Sequence, residues 1–172
     1  MGYRMLLANR IVRILLESAF ALTVLSLQPY RPLVFTGNSM APTYANRELV
    51  LASTDVGQVS RGDIVVITKD KKSIVKRVAY VEGDAIHYYY ISGEWQCGLE
   101  TTFDLKVLNE KFPHRQVRIP PGFVFVLGDN YVESQDSRVF GLVDVADISA
   151  KVPNARPRVP LPYEKLGPLT QA

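Results

Sequence analysis

Apolar positions follow two different periods along this chain. From Ile14 to Leu27 they are nearly continuous, interrupted by Glu17 and a few small polar residues, and the stretch predicts a helix. After Thr43 they fall into short runs that alternate with polar positions: Glu48 to Ala52, Ile64 to Thr68, Ser73 to Val81, Ala85 to Ile91, Gln116 to Ile119, Phe123 to Leu127 and Asp147 to Val152. Alternation of this kind predicts strands with one face inward. Arg61-Gly62-Asp63, Glu82-Gly83-Asp84, Ser92-Gly93-Glu94 and Pro120-Pro121-Gly122 supply the turns between them. The expected fold is therefore mostly β, with antiparallel sheets forming a sandwich or partly closed barrel behind an N-terminal helix.

The segmentation follows from the same pattern. Residues 1–35 form a basic N-terminal segment with an apolar helix, 36–152 a β domain, and 153–172 a tail carrying Pro153, Pro157, Pro160, Pro162 and Pro168, too proline-rich for a sheet centre. Within the β domain, residues 85–115 read as a variable insertion, least regular from Ser92 to Arg115. Lys69-Asp70-Lys71-Lys72 reads as a solvated hairpin loop.

Arg4, Arg10 and Arg13 precede the apolar run, the charge pattern of a membrane anchor with a cytoplasmic N-terminus. The expectation is a single-pass helix, although Glu17 interrupts it and the run is short of the roughly 20 apolar residues a span needs. A cleaved secretory signal and a helix lying at the bilayer interface are the rival readings. The net charge of +3 and pI of about 9.0 give no indication of a nucleic-acid partner. A 172-residue chain that is 47% hydrophobic can bury a real core, which excludes a wholly disordered protein. Cys97 is the sole cysteine and the histidines are His87 and His114, so no disulfide and no metal cluster is expected. No cofactor is called for.

The chemistry concentrates at Thr36-Gly37-Asn38-Ser39-Met40-Ala41-Pro42-Thr43. A serine between a glycine-bearing turn and a proline-stiffened exit is presented on a backbone that a substrate can approach. Such a serine needs a base. His87, His114, the carboxylates and the lysines are the candidates. Lys76 has a physical argument in its favour, because alternation in Ser73 to Tyr80 puts it on the face of Ile74, Val78 and Tyr80 and puts Arg77 on the other. Apolar neighbours desolvate a lysine, depress its pKa and leave an amine able to accept a proton. The opposing reading is a lysine whose head reaches water.

Gly37-Asn38-Ser39-Met40-Ala41-Pro42-Thr43, Arg61-Gly62-Asp63-Ile64-Val65-Val66, Lys76-Arg77-Val78 with Gly83-Asp84, and Gly128-Asp129-Asn130 through Ser134-Gln135-Asp136-Ser137-Arg138-Val139-Phe140-Gly141 resemble, in order, the boxes of type I signal peptidases. The resemblance runs from about Thr36 to Val152. It implies a membrane-bound serine endopeptidase that cleaves signal peptides from exported preproteins after small-x-small sequences, with Ser39 as nucleophile and Lys76 as general base. It further implies that Ser134 orients the lysine, that Asp136 and Arg138 form a supporting ion pair, and that Asp129 and Asn130 shape their loop. Phe35, Thr36, Met40, Ile74 and Val75 flank the two reactive residues and are the candidate substrate pocket. The implied partners are signal peptides and the lipid bilayer, and the implied location is the outer face of a bacterial plasma membrane.

Three departures accompany the resemblance. Tyr80 and Glu82 stand where the family usually has a glycine and a proline. Gly37 stands where some members carry a serine that assists the oxyanion hole. Ala85 to Arg115 is too short for a large second β domain. The rival functions are an autoproteolytic serine/lysine repressor-type domain, which the first 35 residues cannot furnish with a DNA-binding unit, and a non-catalytic membrane-anchored β module.

Overall fold

The computed structural model describes residues 2–27, 29–69, 72–98 and 105–158. The chain divides into two compact units, Met1–Tyr30 and Arg31–Ala172.

The first unit is helix α1, Gly2–Leu27. Apart from Gly2 its residues are tolerant of helix, and no proline interrupts it; the β-branched Ile11, Val12 and Ile14 lower the propensity only slightly. Arg13 donates to Glu17 one turn later at 2.8 Å, an exposed pair that adds only a few tenths of a kcal/mol. The expected spanning helix is not supported. Among the described residues no helix is long and apolar enough to cross a membrane. Length is not the obstacle, since 26 residues rise about 39 Å. Arg4, Arg10, Arg13 and Glu17 are, because they leave no charge-poor window of sufficient length. Leu15, Leu16, Phe20 and Leu22 are all exposed on this helix.

The second unit is built on an open sheet of β1 (Tyr30–Val34), β2 (Leu49–Ser53), β3 (Ile64–Lys69), β4 (Lys72–Tyr80), β8 (Phe123–Leu127), β9 (Val143–Asp144) and β10 (Ile148–Val152), ordered β1-β2-β10-β3-β4-β8-β9. Strands β1 and β9 are its edges, so it is not a closed barrel. Three further strands, β5 (Ala85–Ile91), β6 (Glu94–Gly98) and β7 (His114–Arg118), make a second sheet ordered β6-β5-β7. Helix α2 (Leu105–Lys111) and the short α3 (Ser137–Phe140) complete the described elements with a 3-10 turn at Val145–Asp147. The stretch expected to be irregular thus contains β6, α2 and the start of β7 in its described part. Residues 99–104 of that stretch, Asp70 and Lys71 of the expected hairpin loop, and residues 159–172 of the expected tail lie outside the described residues. Strand β1 falls inside the segment assigned to the anchor. It carries Pro32, which an edge strand tolerates because the missing N–H faces no partner.

Strand β3 sits inside the sheet and is apolar on both faces. Ile64 and Val66 pack with Phe35, Met40, Tyr44, Ala52, Ala150 and Val152, while Val65 and Ile67 pack with Val78, Val124, Val126, Val143 and Ile148. Its antiparallel register with β4 pairs Ile64 with Arg77, Val65 with Lys76 and Val66 with Val75. Residues directly opposite each other share a face. Lys76 therefore sits on the Val65 face and Arg77 on the Ile64 face, as alternation predicts. Tyr80 departs from that expectation. The pairing of β4 with β8 shifts between Val78 and Tyr80, a bulge that turns Tyr80 over to the side of Phe125 and Leu127.

Candidate active site

Ser39 lies in a run of turns where the Ala41 N–H donates to Asn38 O and the Tyr44 N–H donates to Met40 O, each at 3.0 Å. Gly37 begins this run at φ 82°, a region costly for other residues, and its N–H donates to Asn46 Oδ1 at 3.0 Å. The backbone at this position thus favours glycine. Phe35 stacks on Tyr44 with centroids 4.4 Å apart, anchoring the segment from below.

Strand β4 brings Lys76 to this serine. Nζ lies 2.9 Å from Ser39 Oγ, across 37 residues of sequence. Lys76 is only 5% exposed. Burial pushes its ammonium below the ordinary lysine value; Asp136 pulls it back up, Arg138 lowers it further and Asp129 raises it. A buried lysine of depressed pKa beside a hydroxyl is equipped to take that hydroxyl's proton. Neither histidine reaches the serine. His87 and His114 lie on β5 and β7 of the small sheet, where each faces the Tyr89 ring.

The loop from Gly128 to Gly141 supports both groups. Asn130 N–H donates to Ser39 O at 3.0 Å, tying the loop to the serine's own backbone. Asp136 is fully buried and caps α3. Its carboxylate accepts from Gly128 N–H at 3.0 Å and from Arg138 Nε and Nη2 at 2.8 and 2.9 Å. Burial alone would raise the Asp136 pKa, but Arg138, the Gly128 N–H and the neighbouring Ser134 hydroxyl outweigh it and hold the carboxyl below its ordinary range. Arg138 also donates to Tyr131 O at 2.8 Å. The expected ion pair is thus present in forked geometry, the arrangement in which arginine binds carboxylate best.

Ser134 is buried, and among the described residues its Oγ has no hydrogen-bond partner of regular geometry, Lys76 included. It sits against Gly128: a Cβ added at Gly128 would lie 2.2 Å from Ser134 Oγ and 2.5 Å from Ser39 O. No side chain fits between these two segments. Gly128→Ala should therefore displace the Ser39 backbone and lower catalytic turnover by about 100-fold, the order of effect expected of a 1 Å misplacement. Turnover within a few-fold of wild type would show that the approach is not needed.

A second buried pair was not singled out from sequence. Arg77 donates to both carboxylate oxygens of Asp129 at 2.8 Å, and its Nη1 donates to Gly62 O at 2.8 Å. Its signal was the placement of a charged residue directly after Lys76 on the face turned toward Ile64, and of Asp129 directly after Gly128. Of the pocket candidates, Thr36 is exposed, Ile74 is 37% exposed and Val75 is half-buried. Phe35 and Met40 are each 3% exposed and belong to the core that Val75 packs against. No group of metal ligands occurs among the described residues.

Residues 7–154 match the family described as signal peptidase, peptidase S26. The chain is 36% identical over 141 residues to signal peptidase I of Bacillus caldolyticus, covering 69% of this chain and 75% of that one. It is 34% identical over 143 residues to signal peptidase IB of Staphylococcus aureus (strain COL), covering 70% and 74%. A crystal structure of a signal peptidase I from Enterococcus faecalis V583 aligns with a TM-score of 0.36 and 23% identity, over 55% of this chain and 97% of that one.

Proposed function

This chain belongs to the signal peptidases of peptidase family S26, and from that membership we propose that it cleaves signal peptides from exported preproteins with Ser39 as nucleophile and Lys76 as general base. The observation that carries the assignment of roles is the 2.9 Å approach of a buried Lys76 Nζ to Ser39 Oγ. In the resting pair a protonated lysine donates to the hydroxyl. Once the amine is neutral the direction reverses, and the hydroxyl donates to nitrogen.

The Ser39 oxygen then attacks the scissile carbonyl while its proton passes to Lys76. The carbonyl oxygen takes the negative charge, and the donor we assign to it is the Ser39 backbone N–H, an effect on the order of 3 kcal/mol per donor. When the tetrahedral carbon collapses, the peptide C–N bond breaks and Lys76 returns the proton to the leaving amine. Water, deprotonated by the same lysine, attacks the acyl ester and releases Ser39. Nothing in this sequence needs a metal or cofactor.

Thr36, Ile74 and Val75 are the walls we assign to the substrate's side chains, with Phe35 and Met40 as the core behind Val75. Shallow apolar walls reject large side chains by overlap, which favours small residues before the cut. The family is membrane-associated, and the exposed Leu15, Leu16, Phe20 and Leu22 of α1 supply apolar surface for lying in the headgroup region. In a flotation assay the protein should rise with anionic liposomes, and Leu16→Asp with Phe20→Asp should leave it at the bottom; flotation unaltered by the double variant would remove α1 from the contact.

The test of the function is direct. Purified protein should cut a model preprotein once, after a small-x-small sequence, and Ser39→Ala should abolish the cut while leaving the folded state intact. Cleavage by Ser39→Ala at the wild-type rate would overturn the nucleophile, and no cleavage by the wild type would leave the chain as a non-catalytic export module.

A further inference from the structure

Beyond the residues that match the family, the described chain continues from Ala155 to Arg158, and two arginines there touch both halves of the site. Arg156 reaches the segment that carries the serine. Its N–H donates to Tyr44 Oη at 2.9 Å, its Nη1 donates to Thr43 O at 3.2 Å, its guanidinium lies 4.8 Å from the Tyr44 ring centre, and it pairs with Glu48. Arg158 reaches the supporting loop. Its Nη2 donates to Asp129 O at 3.1 Å and its guanidinium stacks on Tyr131, 4.1 Å from the ring centre.

The two contact sets belong to the same frame. Thr43 and Tyr44 follow Ser39 within one compact run of turns, and Asp129 and Tyr131 flank Asn130, whose N–H holds Ser39 O. The Tyr131 ring also carries Arg138, the partner of Asp136, at 5.4 Å. A planar guanidinium on an aromatic ring gives a stiff contact that a flexible ammonium does not reproduce. Pro153 and Pro157 restrict the backbone on either side, and the half-buried Ala155 packs on the core cluster of Phe35 and Met40. The short segment is therefore not a loose extension of the sheet. It is bonded at two points to loops that share no strand.

We propose that Arg156 and Arg158 form a strap that clamps the Ser39 segment against the Gly128 to Gly141 loop, acting as positioning residues for the serine/lysine reaction. The contacts given above fall on Thr43, Tyr44, Glu48, Asp129 and Tyr131, so both arginines act through the backbone that holds Ser39. The catalytic part of this inference rests on the function proposed above, whereas the clamping part does not. If the strap loosens, Asn130 N–H and Ser39 O separate more often, Ser39 Oγ leaves Lys76 Nζ for part of the time, and kcat falls while substrate contacts remain.

The experiment compares full-length wild type with Arg158→Ala, Arg158→Lys and the Arg156→Gln/Arg158→Ala pair. Hydrogen exchange at the Asn130 amide reads the clamp without any substrate, and preprotein cleavage reads its effect. Exchange at Asn130 should speed up about 10-fold in Arg158→Ala and more in the pair, and kcat should fall about 10-fold with KM within two-fold of wild type. Arg158→Lys should recover only part of either change, because lysine keeps the donor and loses the stack. Unchanged exchange overturns the clamp, and faster exchange with unchanged kcat overturns the positioning role. A rise in KM at constant kcat overturns it too, by making the strap a substrate contact. A kcat lost only in proportion to the folded fraction, measured by near-UV circular dichroism, likewise reduces the arginines to stability. If wild type cleaves nothing, the proposed function fails, and the Asn130 exchange still decides whether the arginines clamp.

Discussion

Lys76→Met should reduce preprotein cleavage by at least 1,000-fold and leave the protein as thermostable as wild type or more so at neutral pH. The loss is expected because no other described group reaches Ser39 Oγ, and a serine without its base has lost the activation that makes it a nucleophile. The gain follows from linkage. Lys76 is 5% exposed and its folded-state pKa lies below the ordinary lysine value of about 10.4, so the folded state gives up its proton more readily than the unfolded chain. Between the two pKa values the unfolded state binds more protons, and stability therefore rises with pH across that window. The penalty is complete below the folded pKa and absent above the unfolded one. Methionine fills the same volume without a charge, so thermal melts of Lys76→Met should lack that alkaline rise. Retention of the wild-type pH slope would place the titration elsewhere.

The same shift governs catalysis. The base must be neutral, so kcat/KM should climb with pH to a midpoint below the ordinary lysine value. A midpoint at or above that value would mean that burial does not prepare the amine.

Asp136→Ala should be the most destabilising change at the site, costing about 3–5 kcal/mol by leaving Arg138 without its carboxylate, with the lower end favoured because the Arg138 side chain is 23% exposed. It also removes the acceptor of the Gly128 and Arg138 backbone N–H groups. Denaturant titration would measure this, and a loss under about 1 kcal/mol would refute the pair as a support. Asp136 has a lowered pKa when folded. Its contribution is therefore full above the unfolded carboxylate value and is lost as pH falls through the folded one.

Asp136→Asn is the informative companion. It keeps the shape of the carboxylate and removes its charge. Asp136 raises the Lys76 pKa and Arg138 lowers it, so deleting the negative partner and exposing the lysine to an uncompensated guanidinium act in the same direction. The acid limb of kcat/KM should move to lower pH in whatever fraction stays folded. A move to higher pH would show that Asp136 touches Lys76 through structure and not through charge.

Much of this site was legible without coordinates. Ser39 stood out because its turn needed glycine and proline around it, and Lys76 because alternation placed it among apolar neighbours. Both inferences use periods of two to four residues, which the backbone imposes locally. The Asp136–Arg138 pair came from resemblance, and its forked geometry from the fold. Arg77–Asp129 escaped because its partners are 52 residues apart and each resembles an ordinary surface charge when read alone. Strand β1 escaped because it borders an apolar helix, and β6 because its five residues, Glu94–Gly98, show little alternation. The membrane-spanning reading of α1 gave way because four charges in one helix outweigh the apolar run between them.

What the amino-acid order determined by itself was therefore the set of faces: which residues turn inward on each strand, where the chain must bend, and which hydroxyl is presented. What only the tertiary structure decided was distance. The 2.9 Å between Lys76 and Ser39 depends on the register of β3 with β4, and the contact of the two loops depends on the absence of a side chain at Gly128. The bulge that turns Tyr80 away from Lys76 belongs to the same class. Local periodicity states which way a side chain points, but the separation of two segments is set by every strand packed between them, and no short window of sequence contains that sum.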